Sequence, residues 1–142
     1  NDVVRNLNLM LLENFEVVLY APSKIRSFET IEVEHFHKTA MRVSLTYYIN
    51  YDDPAVRNFL LKYRALYNTE PSQFAFQGYD MASYFIETCS KYGNRWYSRL
   101  GRTDKNMLQS TFRFIEVEDG GYVNNGVRRI VYGKDWSVTK VR

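Results

Sequence analysis

The chain has 142 residues, 45% hydrophobic and 25% charged, which suits one domain with its own core and is too apolar for a disordered segment. A formal net charge of +3 is mild, permitting contact with anionic surfaces without the basic excess of a dedicated nucleic-acid binder. Cys89 is the only cysteine, which excludes an intrachain disulfide, and no run reaches the roughly 18 apolar residues of a membrane span.

In chain order, Val3, Val4, Leu7, Met10 and Leu11 fall at helical spacing behind Asp2 as a cap, and Val17-Val18-Leu19 reads as a short buried strand covered on both faces. A loop from Ala21 to Arg26 precedes a weaker helix over about 28–38. Met41, Val43, Leu45 and Tyr47 then alternate with Arg42, Ser44, Thr46 and Tyr48, the period of a strand with one wet face. Asp52 or Asp53 followed by Pro54 starts a helix whose stripe is Val56, Phe59, Leu60, Tyr63, Leu66 and Tyr67. Asn68 to Pro71 stops it. A second helix carries Tyr79, Ala82, Phe85, Ile86 and Cys89 on one face, with Cys89 as a small core residue and Gly78 allowing close packing, and Gly93-Asn94 ends it. Thr103 or Asp104 caps a further short helix through Met107 and Leu108. The remainder is strand: Phe112 to Ile115, Tyr122-Val123, Val127 to Tyr132 and Trp136 to Val141, separated by turns at 118–121, 124–126 and 133–135.

The wording of the helical hairpin says more than its periodicity. The run Asp-Pro-x-Val-x-x-Phe, Lys-Tyr-x-x-x-Tyr, Glu-Pro-Ser and Phe-Ala-x-x-Gly-Tyr-Asp between Asp53 and Asp80 resembles type I periplasmic binding proteins, the branched-chain amino-acid and amide receptors that serve ABC transporters. Upstream, Glu16 to Ser23 resembles the last strand and ligand loop of that family's second lobe, and Phe112 to Val141 its closing strands. The resemblance implies an α/β fold: the C-terminal portion of a two-lobed receptor, with a partial parallel sheet flanked by helices and C-terminal β-hairpins. It divides the chain into a second-lobe part (1–50), a first-lobe-type helical hairpin (51–112) and closing strands (113–142). It also implies an exported protein of a bacterial periplasm or cell envelope. A chain that opens inside a helix reads as part of a longer precursor, so the lack of a signal peptide before Asn1 carries no weight.

What the resemblance implies for a site is a small polar ligand held between the lobes without a cofactor. Tyr20, Ala21 and Ser23 lie in the loop after the second-lobe strand, where open α/β sheets place their ligands. Amino-acid-binding members often carry an acid where this chain has Ser23. Phe74 matches a first-lobe aromatic that contacts ligand, and Tyr79 and Asp80 complete the Gly-Tyr-Asp signature; for these two, a core ring and a local hydrogen bond are the structural alternative. The partners implied are an ABC transporter permease or, for a receptor that has lost its ligand and works as an envelope scaffold, a cell-wall polymer. Helices parted from the sheet they normally cover also imply that the hairpin either packs onto the remaining sheet or hides its apolar faces by self-association of this chain.

The residues themselves offer little catalysis, and the chain reads as a non-enzyme. No glycine-rich phosphate loop, nucleophile elbow or zinc-spaced cysteine occurs. His35 and His37 could share a metal only on a strand, and their segment reads as a helix, where residues two apart diverge. The Lys91 to Lys105 run interleaves arginines with Tyr92, Trp96 and Tyr97, a pattern that can hold single-stranded nucleic acid but more simply packs its rings inward; nucleic acid is not expected as a partner.

Overall fold

The computed structural model describes residues 2–13 and 15–141, without the side chains of Val4, Arg5 and Asn8, so the expected place of Val4 on an apolar stripe lies outside the described residues. The regular elements are α1 (Asp2–Leu12), β1 (Tyr20–Pro22), α2 (Val33–Lys38), β2 (Arg42–Leu45), α3 (Pro54–Tyr67), α4 (Gln73–Tyr92), β3 (Lys105–Asn106), β4 (Thr111–Phe112), β5 (Phe114–Glu116), β6 (Tyr122–Asn124), β7 (Arg128–Tyr132) and β8 (Val138–Val141). Short 3-10 turns cover Ser23–Ser27, Gly93–Arg95 and Tyr97–Arg102. The chain divides into two compact units: one runs through Leu45 and resumes at Arg128, and the other is Thr46–Val127.

The first unit is a mixed sheet in the order β1-β2-β7-β8, parallel between β1 and β2 and antiparallel elsewhere. Alternation sets its faces. Val43 pairs with Ile130, and these two with Met41, Leu45 and Tyr132 form the covered side, with Phe36 of α2 against Tyr132. Each fully buried chain of this kind contributes about 1.5–3 kcal/mol. The other side carries Arg42, Ser44 and Arg129 and is open. This α/β arrangement, a partly parallel sheet with helices and a C-terminal hairpin, is the expected class.

Two local expectations are corrected here. Residues 17–19 are not a doubly covered strand: the strand starts at Tyr20, and Val18 is exposed. Only Leu19 joins the ladder, donating to the Thr39 carbonyl and accepting from Arg42 N–H. A sheet covered on one side leaves its edge strand half wet, so an apolar run alone overstates its burial. The helix expected from residue 28 begins only at Val33, because Ser27 Oγ donates to the Lys24 carbonyl and the backbone closes into a separate 3-10 turn first.

The second unit follows its stop and start signals. Asp53 Oδ1 accepts from Ala55 N–H at 2.8 Å with Pro54 in the first turn, and Asn68 ends α3 in the left-handed conformation at φ 50°. Ser72 caps α4, and Gly93 at φ 53° closes it. The buried stripe of α4 is Phe76, Asp80, Tyr84 and Thr88, not the expected face, of which Phe85 is half-buried and Tyr79, Ala82, Ile86 and Cys89 are exposed. Two members of the true stripe are polar, so counting apolar residues misplaces it; Thr88 Oγ1 is satisfied by the Tyr84 carbonyl. Cys89 is therefore not a core residue. Nor does Gly78 serve a close approach, since an added Cβ there would meet no atom within 4 Å.

Tyr84, Leu100 and Phe112 centre an aromatic core, with Phe85, Trp96, Met107, Phe114 and Tyr122 packed around them; the Tyr84 and Phe112 rings stack at 4.5 Å. No helix forms from Thr103. Its hydroxyl donates back to the Leu100 carbonyl, closing the preceding turn, and Lys105–Asn106 instead pairs with Thr111–Phe112 as a two-stranded ladder. The later strands fall near their expected places, with two corrections. The stretch from Phe112 is split at Arg113 into β4 and β5, and the last strand starts at Val138, because Trp136 lies in the turn with its N–H donating to the Gly133 carbonyl. Asn124 ties them down: Oδ1 accepts from Arg113 N–H and Gly126 N–H, and Nδ2 donates to the Thr111 carbonyl. Gly126 is required there, because a Cβ would lie 2.0 Å from the Thr111 oxygen.

Leu61, Leu66, Tyr67, Phe74 and Ile86 are exposed on the α3–α4 hairpin. Such a surface exceeds scattered apolar exposure and favours association. Light scattering after size exclusion is predicted to show dimers or larger species, with binding of the dye ANS. A dye-silent monomer would contradict this.

Candidate functional site

The first cluster is built on the carboxyl end of β1. Because side chains alternate along a strand, Tyr20 points to the open face of the sheet and half-buried Ala21 to the covered one. Pro22 is extended, and exposed Ser23 starts the 3-10 turn, presenting a hydroxyl and no charge. Tyr20 has a partner that sequence reasoning missed. Arg42 Nη1 donates to its hydroxyl at 2.9 Å, and the guanidinium carbon lies 5.4 Å from the ring centroid. With Ser44, Arg129 and Val131 they line a hollow of about 420 Å³. The alternation that puts Arg42 and Ser44 on the wet face is the signal that could have found them.

The second cluster lies between α3 and α4. Phe74 is 74% exposed, and Tyr79 packs its ring 4.8 Å from Phe59. Rings continue along α3, from Phe59 to Tyr63 at 5.7 Å and from Tyr63 to Tyr67 at 4.6 Å. These rings, with Phe74 and Leu108, border a groove of about 700 Å³. Tyr63 and Tyr67 read as core positions in the sequence, whereas the fold turns them to the groove. The structure thus brings Phe74 and Tyr79 together.

Asp80, their neighbour in the motif, has another place. It is 0% exposed. Its Oδ1 accepts from Leu108 N–H, and Oδ2 from the N–H groups of Gln109 and Ser110, all at 2.9 Å. A buried carboxylate is tolerated when such charge-assisted bonds replace water. Three bonds, one to Oδ1 and two to Oδ2, commit it to holding the 108–110 loop, so its geometry is that of a structural clasp.

The remaining sequence candidates are separated by the fold. His37 is buried, with Nδ1 2.7 Å from the Gly133 carbonyl, while His35 sits half-buried on the same short helix. Among the described residues, no group of three or more His, Cys, Asp or Glu could hold a metal ion. Lys38 hydrogen-bonds Glu34 and holds its carboxyl below the usual range. In the Lys91 to Lys105 run, Trp96 packs into the aromatic core and Tyr97 meets Tyr122 edge-on at 5.1 Å, so these rings are not free stacking platforms. Lys105 pairs with Glu87. No helix is long and apolar enough to cross a membrane among the described residues.

No family model matches the chain, and no curated protein matches it significantly in sequence. Solved structures do resemble it. A candidate branched-chain amino acid ABC transporter from Rhodospirillum rubrum is similar with a TM-score of 0.55 at 16% identity, over 97% of this chain and 40% of that one. An ABC transporter substrate-binding protein from Desulfitobacterium hafniense, in complex with Leu, gives a TM-score of 0.44 at 17% identity, over 89% and 36%. A further structure of an ABC transporter substrate-binding protein from Desulfitobacterium hafniense gives 0.45 at the same identity, over 89% and 36%. The likeness to the first establishes the fold: an α/β arrangement shared with a portion of that transporter protein. The chain spans about two fifths of that protein's length.

Truncating Asp80 leaves three amides without acceptors, each costing about 1–3 kcal/mol. Urea denaturation of Asp80→Ala is predicted to show a loss of at least ~3 kcal/mol, with Tyr79→Ala losing much less. Equal losses would contradict the clasp.

Proposed function

We propose that this chain is a segment of a solute-binding receptor, exported to a bacterial periplasm or cell envelope, that takes part in binding a small polar ligand such as an amino acid or amide for ABC transport or sensing. The observation that carries the reading is the likeness of fold to the Rhodospirillum rubrum protein over nearly the whole chain. The proposed contacts are the side chains of Tyr20 and Ser23 with the backbone of Ala21 from the first unit, and Phe74 and Tyr79 from the second. Tyr20 and Ser23 offer hydroxyls at the carboxyl end of a parallel strand, where α/β sheets bind ligands, and the two rings offer apolar contact. Asp80 is left out because its carboxylate serves the 108–110 loop. The role is binding, not catalysis, and a transporter permease is the proposed partner.

Ser23 decides what this receptor prefers. A ligand ammonium taken out of water needs an anionic or strongly accepting partner, and one hydroxyl is a poor substitute for a carboxylate. Neutral or amide-bearing solutes therefore suit the loop better than free amino acids. The second reading, a receptor-like scaffold that contacts a cell-wall polymer or another protein, is favoured by the exposure of Phe74, Leu66 and Tyr67.

Thermal unfolding in the presence of L-leucine, L-glutamine and the uncharged amides acetamide and N-acetylglycinamide separates the two. A ligand at about 100 times its Kd stabilises by ~2.7 kcal/mol, which moves the melting temperature by several degrees. The receptor reading predicts such a shift with at least one solute, reduced in Tyr20→Ala. Silence across the panel would overturn it in favour of the scaffold.

A further inference from the structure

The hairpin between β7 and β8 holds an unexpected residue at its tightest point. Gly133 N–H donates to the Ser137 carbonyl at 2.8 Å, and Trp136 N–H donates to the Gly133 carbonyl at 3.1 Å. Trp136 adopts φ 66°, a left-handed conformation that glycine or asparagine enters easily and a bulky L-residue does not. The fold tolerates this strain, and what it gains is a position for the indole. The ring lies 4.9 Å from the His37 imidazole, tilted by 34°, and Trp136 is still 63% exposed. Strain held at a residue that stays open to solvent points from geometry towards use.

His37 is fixed from beneath. It is 5% exposed, its ring meets Tyr132 edge-on at 5.1 Å, and Nδ1 lies 2.7 Å from the Gly133 carbonyl. A carbonyl only accepts, so Nδ1 carries the proton and, in the neutral ring, Nε2 is the acceptor His37 can offer. Above these rings is a cavity of about 490 Å³ lined by Leu11, Leu12, His37, Lys38, Lys134 and Trp136. Its charge is one-sided. Lys38 is paired with Glu34 at 2.7 Å, whereas Lys134 forms no ion pair among the described residues. The neighbouring Asp135 is turned into the hairpin, where its Oδ1 accepts from Ser137 Oγ at 2.7 Å and from Ser137 N–H at 3.2 Å. These bonds, the hydroxyl's first, hold its carboxyl below the usual range. Among the described residues no carboxylate lines the cavity, and Asp135, within electrostatic reach of His37, is committed to Ser137.

We propose that this cavity binds a small aromatic carboxylate. The ligand ring lies against the indole of Trp136 between Leu11 and Leu12, and its carboxylate pairs with the Lys134 ammonium. His37 Nε2 accepts from any N–H or hydroxyl on the ring. A half-open hollow with an apolar side, a stacking face, one acceptor and one unpaired cation fits an anion with a flat apolar body, and neither half of such a molecule alone satisfies it. This site lies wholly within the first unit and does not depend on the receptor reading.

The chain has two tryptophans, Trp96 and Trp136, so the Trp136 indole N–H can be assigned by NMR from a Trp136→Phe variant. Phenylacetate is the probe, titrated to its solubility limit, with phenylacetamide for the ring without charge and acetate for the charge without ring. The expected result is a saturable shift of the Trp136 resonance with phenylacetate, with the Trp96 resonance unmoved. Binding should be about tenfold weaker for either control compound and for Lys134→Ala, and retained in Lys134→Arg. Unchanged thermal unfolding of Lys134→Ala would show that its loss is one of binding. The proposal is overturned if the Trp136 resonance does not move, if phenylacetamide or acetate binds as tightly as phenylacetate, or if Lys134→Ala binds like the unaltered chain.

Discussion

The second unit depends on a single acid inside a helix. Asp80 takes three consecutive amides, 108 to 110, and so fixes a loop that has no regular structure of its own. The Gln109 carbonyl accepts in turn from Tyr48 N–H at 2.9 Å, and Ser110 bridges to Tyr47, so the same loop anchors the start of the unit. Two residues past the last clasped amide, Phe112 stacks on Tyr84, one helical turn beyond Asp80. One carboxylate thereby sets the register between α4, the chain entering the unit and the aromatic core. Apolar packing supplies most of the stabilisation, but it is non-directional. The directional bonds select this arrangement among other ways of packing the same rings.

How legible the fold was varies with the range of the forces that decide it. The limits of α3 follow from Asp53, Pro54 and Asn68, whose effects act within a turn, and they read directly from the sequence. The alternation from Met41 to Tyr48 read as a one-faced strand for the same reason, and it holds as far as Leu45, beyond which Tyr47 is exposed. The buried stripe of α4 did not, because Asp80 is made buriable by partners 28 to 30 residues away. No local pattern announces those partners. The short helix expected at Thr103 failed in a similar way: a hydroxyl that can cap a following turn can equally close the preceding one, and Leu100 settles which.

The candidate site shows the same division. The motif around Gly78, Tyr79 and Asp80 was visible as wording, yet its two polar-tipped residues take opposite roles, one ring against Phe59 at a groove and one carboxylate sealed inside. Phe74, the second residue of α4, is exposed because the stripe rotates away from it. Tyr20 acquires Arg42 through strand pairing 22 residues apart, and Trp136 acquires His37 through a turn 96 residues downstream of it. Chemistry assembled by pairing is invisible to spacing. The sheet leaves one side open, and the helical hairpin leaves Leu66, Tyr67 and Phe74 exposed. What is left exposed, rather than what is conspicuous in the motif, marks the surfaces available to ligand or partner.

Native-state hydrogen exchange at the amides of Leu108, Gln109 and Ser110 tests the organising role of Asp80 most directly. If the carboxylate is the clasp, these three loop amides exchange as slowly as the core of α4, and Asp80→Asn speeds them by about 100-fold, the ~2.7 kcal/mol expected when charged acceptors are weakened. Exchange at the rate of an ordinary surface loop in the unaltered chain would contradict the account.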